Sequence, residues 1–196
     1  TIEKEAIEVD VPIIRKEMGN LLKVLLELKQ PQSILEVGTA VGYSSILMSE
    51  NMPEGCIIDT IENYDKRIPI ARNNFKRAGK EDCIRLIEGD AMEVLKELEG
   101  PYDFIFMDAA KGQYINYLPE ILRLMPKGGL LITDNILQEG EILESRYAVT
   151  RRNRTIHSRM REYLYEITHN IELETIILPV GDGVSVSVKK RGNQDV

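Results

Sequence analysis

The fold is decided by residues 33–45, which read SILEVGTAVGYSS. The first five form a short, mostly apolar run typical of a buried strand, and the glycines that follow indicate a strand-to-helix turn. Glycine at such a turn lets the backbone approach a ligand, at the carboxyl edge where open α/β sheets bind. We therefore expect a strand over residues 33–37, a ligand loop through Gly38 and Gly42, and a helix to about Glu50.

Apolar runs recur along the chain after this first strand. Further strands are predicted at residues 57–62, 83–88, 102–107 and 129–133. Helical spacing of apolar residues covers about 12–30, 65–78, 91–98 and 114–125. The predicted strands begin 19 to 27 residues apart with helices between them, a rhythm typical of βαβ units and a parallel sheet.

The end of the chain follows a different pattern. Two strand-like runs, 174–179 and 184–189, are separated by a link too short for a crossover helix, so we predict an antiparallel hairpin. No linker or internal repeat divides the sequence. We therefore expect one α/β domain over residues 1–196.

The composition of the chain excludes several classes of protein. Hydrophobic residues make up 43% and charged residues 29%, which excludes disordered and collagen-like chains. The apolar runs are too short for a membrane span. We expect no secretory leader, and the two cysteines lie 27 positions apart. We therefore expect a reducing, cytoplasmic setting without a disulfide framework.

The net charge of −7 hides an uneven distribution. Residues 146–161 contain six arginines and no acidic residue, whereas the rest of the chain carries 19 basic and 32 acidic side chains. The overall charge argues against a surface that binds nucleic acid throughout. The arginine segment itself has two interpretations, a docking site for phosphates or a solvated helix paired with acidic neighbours.

An acidic residue follows the glycine loop at the distance expected for a nucleotide-like ligand. Glu62 ends the second predicted strand twenty residues after Gly42, where a carboxylate can accept hydrogen bonds from two ribose hydroxyls. NAD-binding folds share this pairing, but their G-x-G-x-x-G fingerprint lacks its middle glycine here. Glu36, just before the loop, suits a cationic ligand without phosphates, such as S-adenosylmethionine. Asp90 is predicted to be the N-cap of the helix that begins at Ala91.

Hard oxygen donors end the next two strands. Asp108 follows the fourth predicted strand, and Asp134 and Asn135 follow the fifth. Because parallel strands end at the same edge of a sheet, we expect the three to meet around one crevice. Two carboxylates and an amide suit Mg²⁺, Mn²⁺ or Ca²⁺. The alternative is that each is an ordinary solvated residue at a strand end.

Several stretches together resemble the metal-dependent, catechol-type class I O-methyltransferases. They are LEVGTAVGYSS, TIE, GDAMEVL, DFIFMDAAKGQY and LLITDNIL, and the match runs from about residue 12 to 189. The specific part is MDAAK with TDN, since the glycine loop is shared by S-adenosylmethionine (SAM) enzymes in general. The resemblance implies a Rossmann-like, seven-stranded sheet, mostly parallel with an antiparallel last strand and helices on both faces. It also implies SAM as cofactor and a homodimer.

The resemblance assigns roles to individual residues. It implies a cofactor site formed by Ile14, Gly38, Tyr43, Ser44, Glu62, Asp90, Ala91 and Asp108. It implies that Asp108, Asp134 and Asn135 hold Mg²⁺ or Mn²⁺ and that Lys111 is the catalytic base. A metal lowers the pKa of a coordinated hydroxyl, so a neighbouring lysine can accept its proton. A solvated lysine is the alternative for Lys111.

The methyl acceptor is predicted from the last third of the chain. The last third of the chain most resembles bacterial tRNA 5-hydroxyuridine methyltransferases, which make 5-methoxyuridine at the wobble position of the anticodon loop. If Thr150 caps a helix, the arginines follow at helical spacing. The predicted tRNA-binding residues are Arg146, Arg151, Arg152, Arg154, Arg159 and Arg161. The alternatives are a small catechol or caffeoyl-CoA-like phenol as acceptor, and a non-enzymatic NAD- or SAM-binding module.

Overall fold

The computed structural model describes residues 2, 4–5, 13–137, 142 and 153–192. The strands in these residues are β1 Ser33–Val37, β2 Ile57–Glu62, β3 Ile84–Glu88, β4 Phe104–Met107, β5 Leu130–Thr133, β6 Leu173–Leu178 and β7 Val184–Lys189. They form one seven-stranded sheet in the order β3-β2-β1-β4-β5-β7-β6. β2 pairs in parallel with β1 and β3, and β4 pairs in parallel with β5. β7 is antiparallel to both β5 and β6, which confirms the predicted hairpin.

The helices alternate with the strands as predicted. They are α1 Lys16–Lys29, α2 Tyr43–Ser49, α3 Ile68–Ala78, α4 Ala91–Glu97, α5 Tyr114–Leu124 and α6 Arg154–His169. A 3₁₀ turn, Lys111–Gln113, precedes α5. α3 starts three residues later than expected, with a proline in its first turn. It ends at Gly79, which takes the left-handed conformation that glycine adopts without strain.

The fold divides into two compact units, residues 1–97 and 98–196. In the first, β1–β3 and α1–α4 bury apolar side chains such as Leu22, Leu26 and Ile34. In the second, β4–β7, α5 and α6 bury large side chains such as Phe104 and Tyr163. Removing this apolar surface from water is the main stabilising contribution in each unit. The expectation of one domain over the whole chain stays a prediction.

None of the described helices combines the length and the apolar character needed to cross a bilayer.

Candidate functional site

The loop between β1 and α2 has a conformation that requires its glycines. The N–H groups of Gly38 and Thr39 both donate to the carbonyl oxygen of Ile61, at 3.1 Å, and tie the loop to the end of β2. Gly42 has a φ of 81°, and a Cβ atom there would lie 2.8 Å from Cζ of Phe75. Only glycine fits both the backbone conformation and the space. The sequence therefore fixes a tight turn at the predicted ligand loop.

Glu36 anchors this loop from inside the protein. Its side chain is fully buried, and Oε1 accepts a hydrogen bond of 2.5 Å from the Ser44 hydroxyl. Oε2 accepts from the hydroxyls of Ser45 and Thr60. Both oxygens are thus engaged by protein donors, and Glu36 fixes the loop instead of facing a cationic ligand as the sequence suggested. The Ser44 hydroxyl points at Glu36 in this arrangement, and its contact with a cofactor stays a prediction.

Glu62 lies at the other side of the loop. Its Oε2 accepts from the Ala40 N–H at 2.8 Å, and Oε1 accepts from the N–H groups of Asn63 and Tyr64 at 3.0 Å. A carboxylate offers about four acceptor positions, so these three bonds leave capacity for an external donor such as a ribose hydroxyl. The carboxylate is therefore held in place for the role that the sequence predicts.

The remaining predicted cofactor residues in the first unit take different positions. Asp90 caps α4, since its Oδ1 accepts from the Met92 N–H at 2.9 Å, which confirms the predicted N-cap. Asp90 is exposed, and Ala91 and Tyr43, the first residues of α4 and α2, are half-buried. Ile14 is buried, with 8% of its surface exposed. Their contact with a cofactor stays a prediction.

The structure brings the three predicted oxygen donors of the second unit together. Asn135 Nδ2 donates to Asp108 Oδ1 at 3.1 Å, and the Asn135 backbone N–H donates to Asp134 Oδ1 at 2.7 Å. Asp134 itself is tied to the end of β4 by its N–H, which donates to the Met107 carbonyl oxygen at 3.0 Å. The ends of β4 and β5 therefore form one cluster of two carboxylates and an amide.

The electrostatics of this carboxylate cluster favour a bound cation. Burial raises the pKa of Asp108, although the hydrogen bond from Asn135 and the charge of Lys111 partly oppose it. Burial, and then the charge of Asp108, raise the pKa of Asp134 to about 7. Two partly dehydrated carboxylates that repel each other are stabilised by a divalent cation. The donor set fits Mg²⁺ or Mn²⁺, once the Asn135 amide turns its oxygen inward, a rotation that exchanges its N and O positions.

Other metal-binding chemistry finds no support in the described part of the chain. Residues 13–137 and 153–192 contain no group of three or more His, Cys, Asp and Glu side chains placed to share an ion. The two carboxylates and the amide are therefore the donor set on which a metal proposal rests.

Lys111 has a partner that sequence reasoning missed. Its Nζ lies 3.4 Å from Oδ2 of Asp182, in the turn between β6 and β7. The Asp182 side chain is 10% exposed and that of Lys111 is 35% exposed. The only sequence signal was an acidic residue in the short hairpin link, which by itself does not indicate a function.

A family model described as O-methyltransferase matches residues 2–190. The chain belongs to the O-methyltransferase family. A catechol O-methyltransferase of Niastella koreensis is 35% identical over 135 residues, 67% of this chain and 61% of that protein. Caffeoyl-CoA O-methyltransferase 2 of Populus trichocarpa is 32% identical over 182 residues, 86% of this chain and 71% of that protein. This chain thus spans less than two thirds of the length of the Niastella relative.

A solved structure extends the comparison to three dimensions. The O-methyltransferase from Bacillus cereus, in complex with SAH, superimposes with a TM-score of 0.87 at 27% identity, over 96% of this chain and 89% of that one. The Rossmann-like methyltransferase fold expected from the sequence is therefore confirmed.

The three described arginines of residues 146–161 do not all lie on one face of α6. Arg159 is half-buried, and its guanidinium donates to the Gly112 carbonyl oxygen at 3.2 Å, in the same turn as Lys111. Arg161 is exposed and Arg154 is half-buried, on one face of α6 because two helical turns separate them. Asn153 occupies the N-cap position of α6. The other predicted residues lie outside the described part of the chain: Thr150, Arg146, Arg151 and Arg152.

Proposed function

We propose that the protein transfers the methyl group of SAM to one hydroxyl of a vicinal dihydroxy aromatic compound, of the catechol or caffeoyl-CoA type. The observation that carries the proposal is the carboxylate cluster of Asp108, Asp134 and Asn135, which shares the second unit with the lysine–aspartate pair. Family membership and the names of the relatives support the same acceptor class.

The residues of the two units would have different roles in this reaction. In the first unit, the glycine loop and Glu62 would bind SAM, and the buried Glu36 would keep the loop in shape. In the second, Asp108, Asp134 and Asn135 would hold Mg²⁺ or Mn²⁺. A bound divalent cation supplies Lewis acidity, which lowers the pKa of a coordinated hydroxyl.

Lys111 would move the proton. Its amine would accept the hydroxyl proton at Nζ, and the acceptor oxygen would then form a bond to the methyl carbon. The bond between that carbon and the sulfonium breaks at the same time, which leaves S-adenosylhomocysteine and a methyl ether. This in-line displacement depends on alignment, so the buried and hydrogen-bonded residues contribute mainly by fixing geometry.

Two measurements test this proposal. Calorimetry is expected to detect binding of SAM and not of NAD. Turnover of catechol or caffeoyl-CoA is expected to stop with a chelator and to return with Mg²⁺ or Mn²⁺. Binding of NAD alone, or full turnover of chelated Asp134→Ala protein, would contradict the assignment.

We propose tRNA 5-hydroxyuridine as a second candidate acceptor, because of the six arginines in residues 146–161. The 5-hydroxyl and 4-carbonyl of this base form a vicinal oxygen pair, as in a catechol. Arginine forks suit phosphates, and contacts to the RNA backbone would position the base. The relatives named above favour the phenol instead.

The variant Arg151→Ala/Arg152→Ala/Arg154→Ala separates the two acceptors. For a tRNA enzyme it should weaken tRNA binding and flatten the salt dependence of that binding, with SAM affinity unchanged. Lys127→Ala, at an exposed site outside the arginine segment, is the control. Unchanged tRNA methylation at physiological salt would discard the RNA role.

The predicted homodimer is tested separately, by light scattering against the monomer mass of 22.3 kDa.

A further inference from the structure

The Lys111–Asp182 pair differs from five other ion pairs among the described residues. In each of those, the acidic partner is at least 25% exposed, whereas Asp182 is 10% exposed. A surface pair contributes little, because water screens it and both side chains lose freedom. A largely buried acid next to a long, flexible lysine instead restricts where the ammonium group can lie.

The turn that carries Asp182 is fixed to the segment that follows the carboxylate cluster. The Leu137 N–H donates to the Asp182 carbonyl oxygen at 2.9 Å, and the Ile136 N–H donates to that of Gly183 at 3.1 Å. Gly183 has a φ of 80°, and a Cβ there would lie 2.7 Å from Leu137 Cδ1. Backbone bonds and close packing therefore set the position of Asp182 relative to the residues just after Asn135.

The backbone of Lys111 is held from a different element. The Arg159 guanidinium of α6 donates to the carbonyl oxygen of Gly112, the next residue in the 3₁₀ turn. Lys111 is thus fixed at its main chain by α6, while its ammonium group faces the β6–β7 turn. The Nζ–Oδ2 distance of 3.4 Å is longer than a tight charge-assisted bond of about 2.8 Å.

We propose that Asp182 is a positioning residue, which directs the amine of Lys111 toward the acceptor hydroxyl. The inference deepens the proposed function and rests on it, since the position of Lys111 matters to turnover only if Lys111 is the base. Asp182 acts through Lys111 and does not itself exchange a proton with the acceptor.

Three single variants test the proposal by kinetics. Asp182→Asn keeps the shape and removes the charge, and it should lower kcat about tenfold, with the affinity for SAM and the melting temperature near those of the parent. Asp182→Glu should recover part of this loss. The control is Glu174→Gln, which removes an ion pair of the same 3.4 Å length from the same hairpin, where the acid is 80% exposed. It should change kcat less than twofold.

The double variant Asp182→Asn/Lys111→Ala separates positioning from general support of the fold. If Asp182 acts through Lys111, the double variant should be as slow as Lys111→Ala alone, because Lys111→Ala removes the amine that Asp182 directs. Losses that multiply, or an Asp182→Asn kcat within twofold of the parent, would overturn the proposal.

A labelling experiment keeps the test independent of turnover. Reductive methylation with formaldehyde and a borane, followed by peptide mass spectrometry, should modify Lys111 several-fold faster in Asp182→Asn than in the parent, with Lys127 unchanged. An unchanged rate at Lys111 would overturn the positioning role. If Lys111 is labelled faster in Asp182→Asn but the parent protein methylates no acceptor, the result would support the positioning of Lys111 and reject the proposed function.

Discussion

Asn135 combines a backbone requirement with a side-chain requirement. Its φ of 57° lies in the left-handed region, which asparagine tolerates better than other residues with a Cβ. Its amide contacts Asp108 and its N–H contacts Asp134, so this one residue links the two carboxylates. Backbone conformation and chemistry together explain why an asparagine stands at this position.

The variants Asn135→Gly and Asn135→Ala test the backbone requirement and the side-chain requirement separately. Glycine takes the left-handed conformation freely, whereas alanine is strained there, so the alanine variant should be less stable to urea by about 1 kcal/mol. Both lack the amide and should bind Mg²⁺ about tenfold more weakly by calorimetry. A glycine variant with the Mg²⁺ affinity of the parent would remove Asn135 from the proposed metal site.

At the scale of the elements, most of the correct strand predictions rest on local sequence patterns. The observed bounds of β1, β2 and β7 are the predicted ones, because apolar runs and the glycines between them are read within a few residues. The convergence of Asp108 with Asp134 and Asn135 follows from parallel strands ending at one edge. The Lys111–Asp182 contact joins residues 71 positions apart and depends on β7 pairing with β5, which no local pattern encodes.

The β1–α2 loop gives a prediction at this scale, through two glycines with nearly the same backbone. Gly42 and Gly55 have φ values of 81° and 82°, but a Cβ at Gly55 meets nothing within 4 Å, whereas at Gly42 it meets the Phe75 ring. In urea, Gly55→Ala should lose about 1 kcal/mol of unfolding free energy from backbone strain alone. Gly42→Ala should lose about 2 kcal/mol more, from overpacking, and should bind SAM more weakly. Equal losses in the two variants would show that Phe75 moves aside and that close packing does not restrict the loop.

At the scale of the whole molecule, the carboxylate cluster makes stability depend on pH. The folded pKa of Asp134 is about 7, against an unfolded value of 3.8, so the folded protein holds this proton more tightly. Its stabilising contribution is therefore complete below about pH 4 and is lost as the pH rises through about 7. The difference amounts to about 4 kcal/mol at most, as an order of magnitude. Asp108, whose pKa is also raised, acts in the same direction.

The metal-free protein should accordingly unfold at lower urea concentrations at pH 8 than at pH 5.5. Mg²⁺ at a hundred times its dissociation constant should restore about 2.7 kcal/mol at pH 8 and less at pH 5.5, where protons compete for the carboxylates. Asp134→Asn removes the buried charge, so it should be more stable than the parent at pH 8, by a smaller margin at pH 5.5, and insensitive to Mg²⁺. Glu174→Gln removes a charge that is 80% exposed and controls for the net charge of −7. If Asp134→Asn and Glu174→Gln change the pH dependence equally, the effect belongs to the overall charge and not to the buried pair.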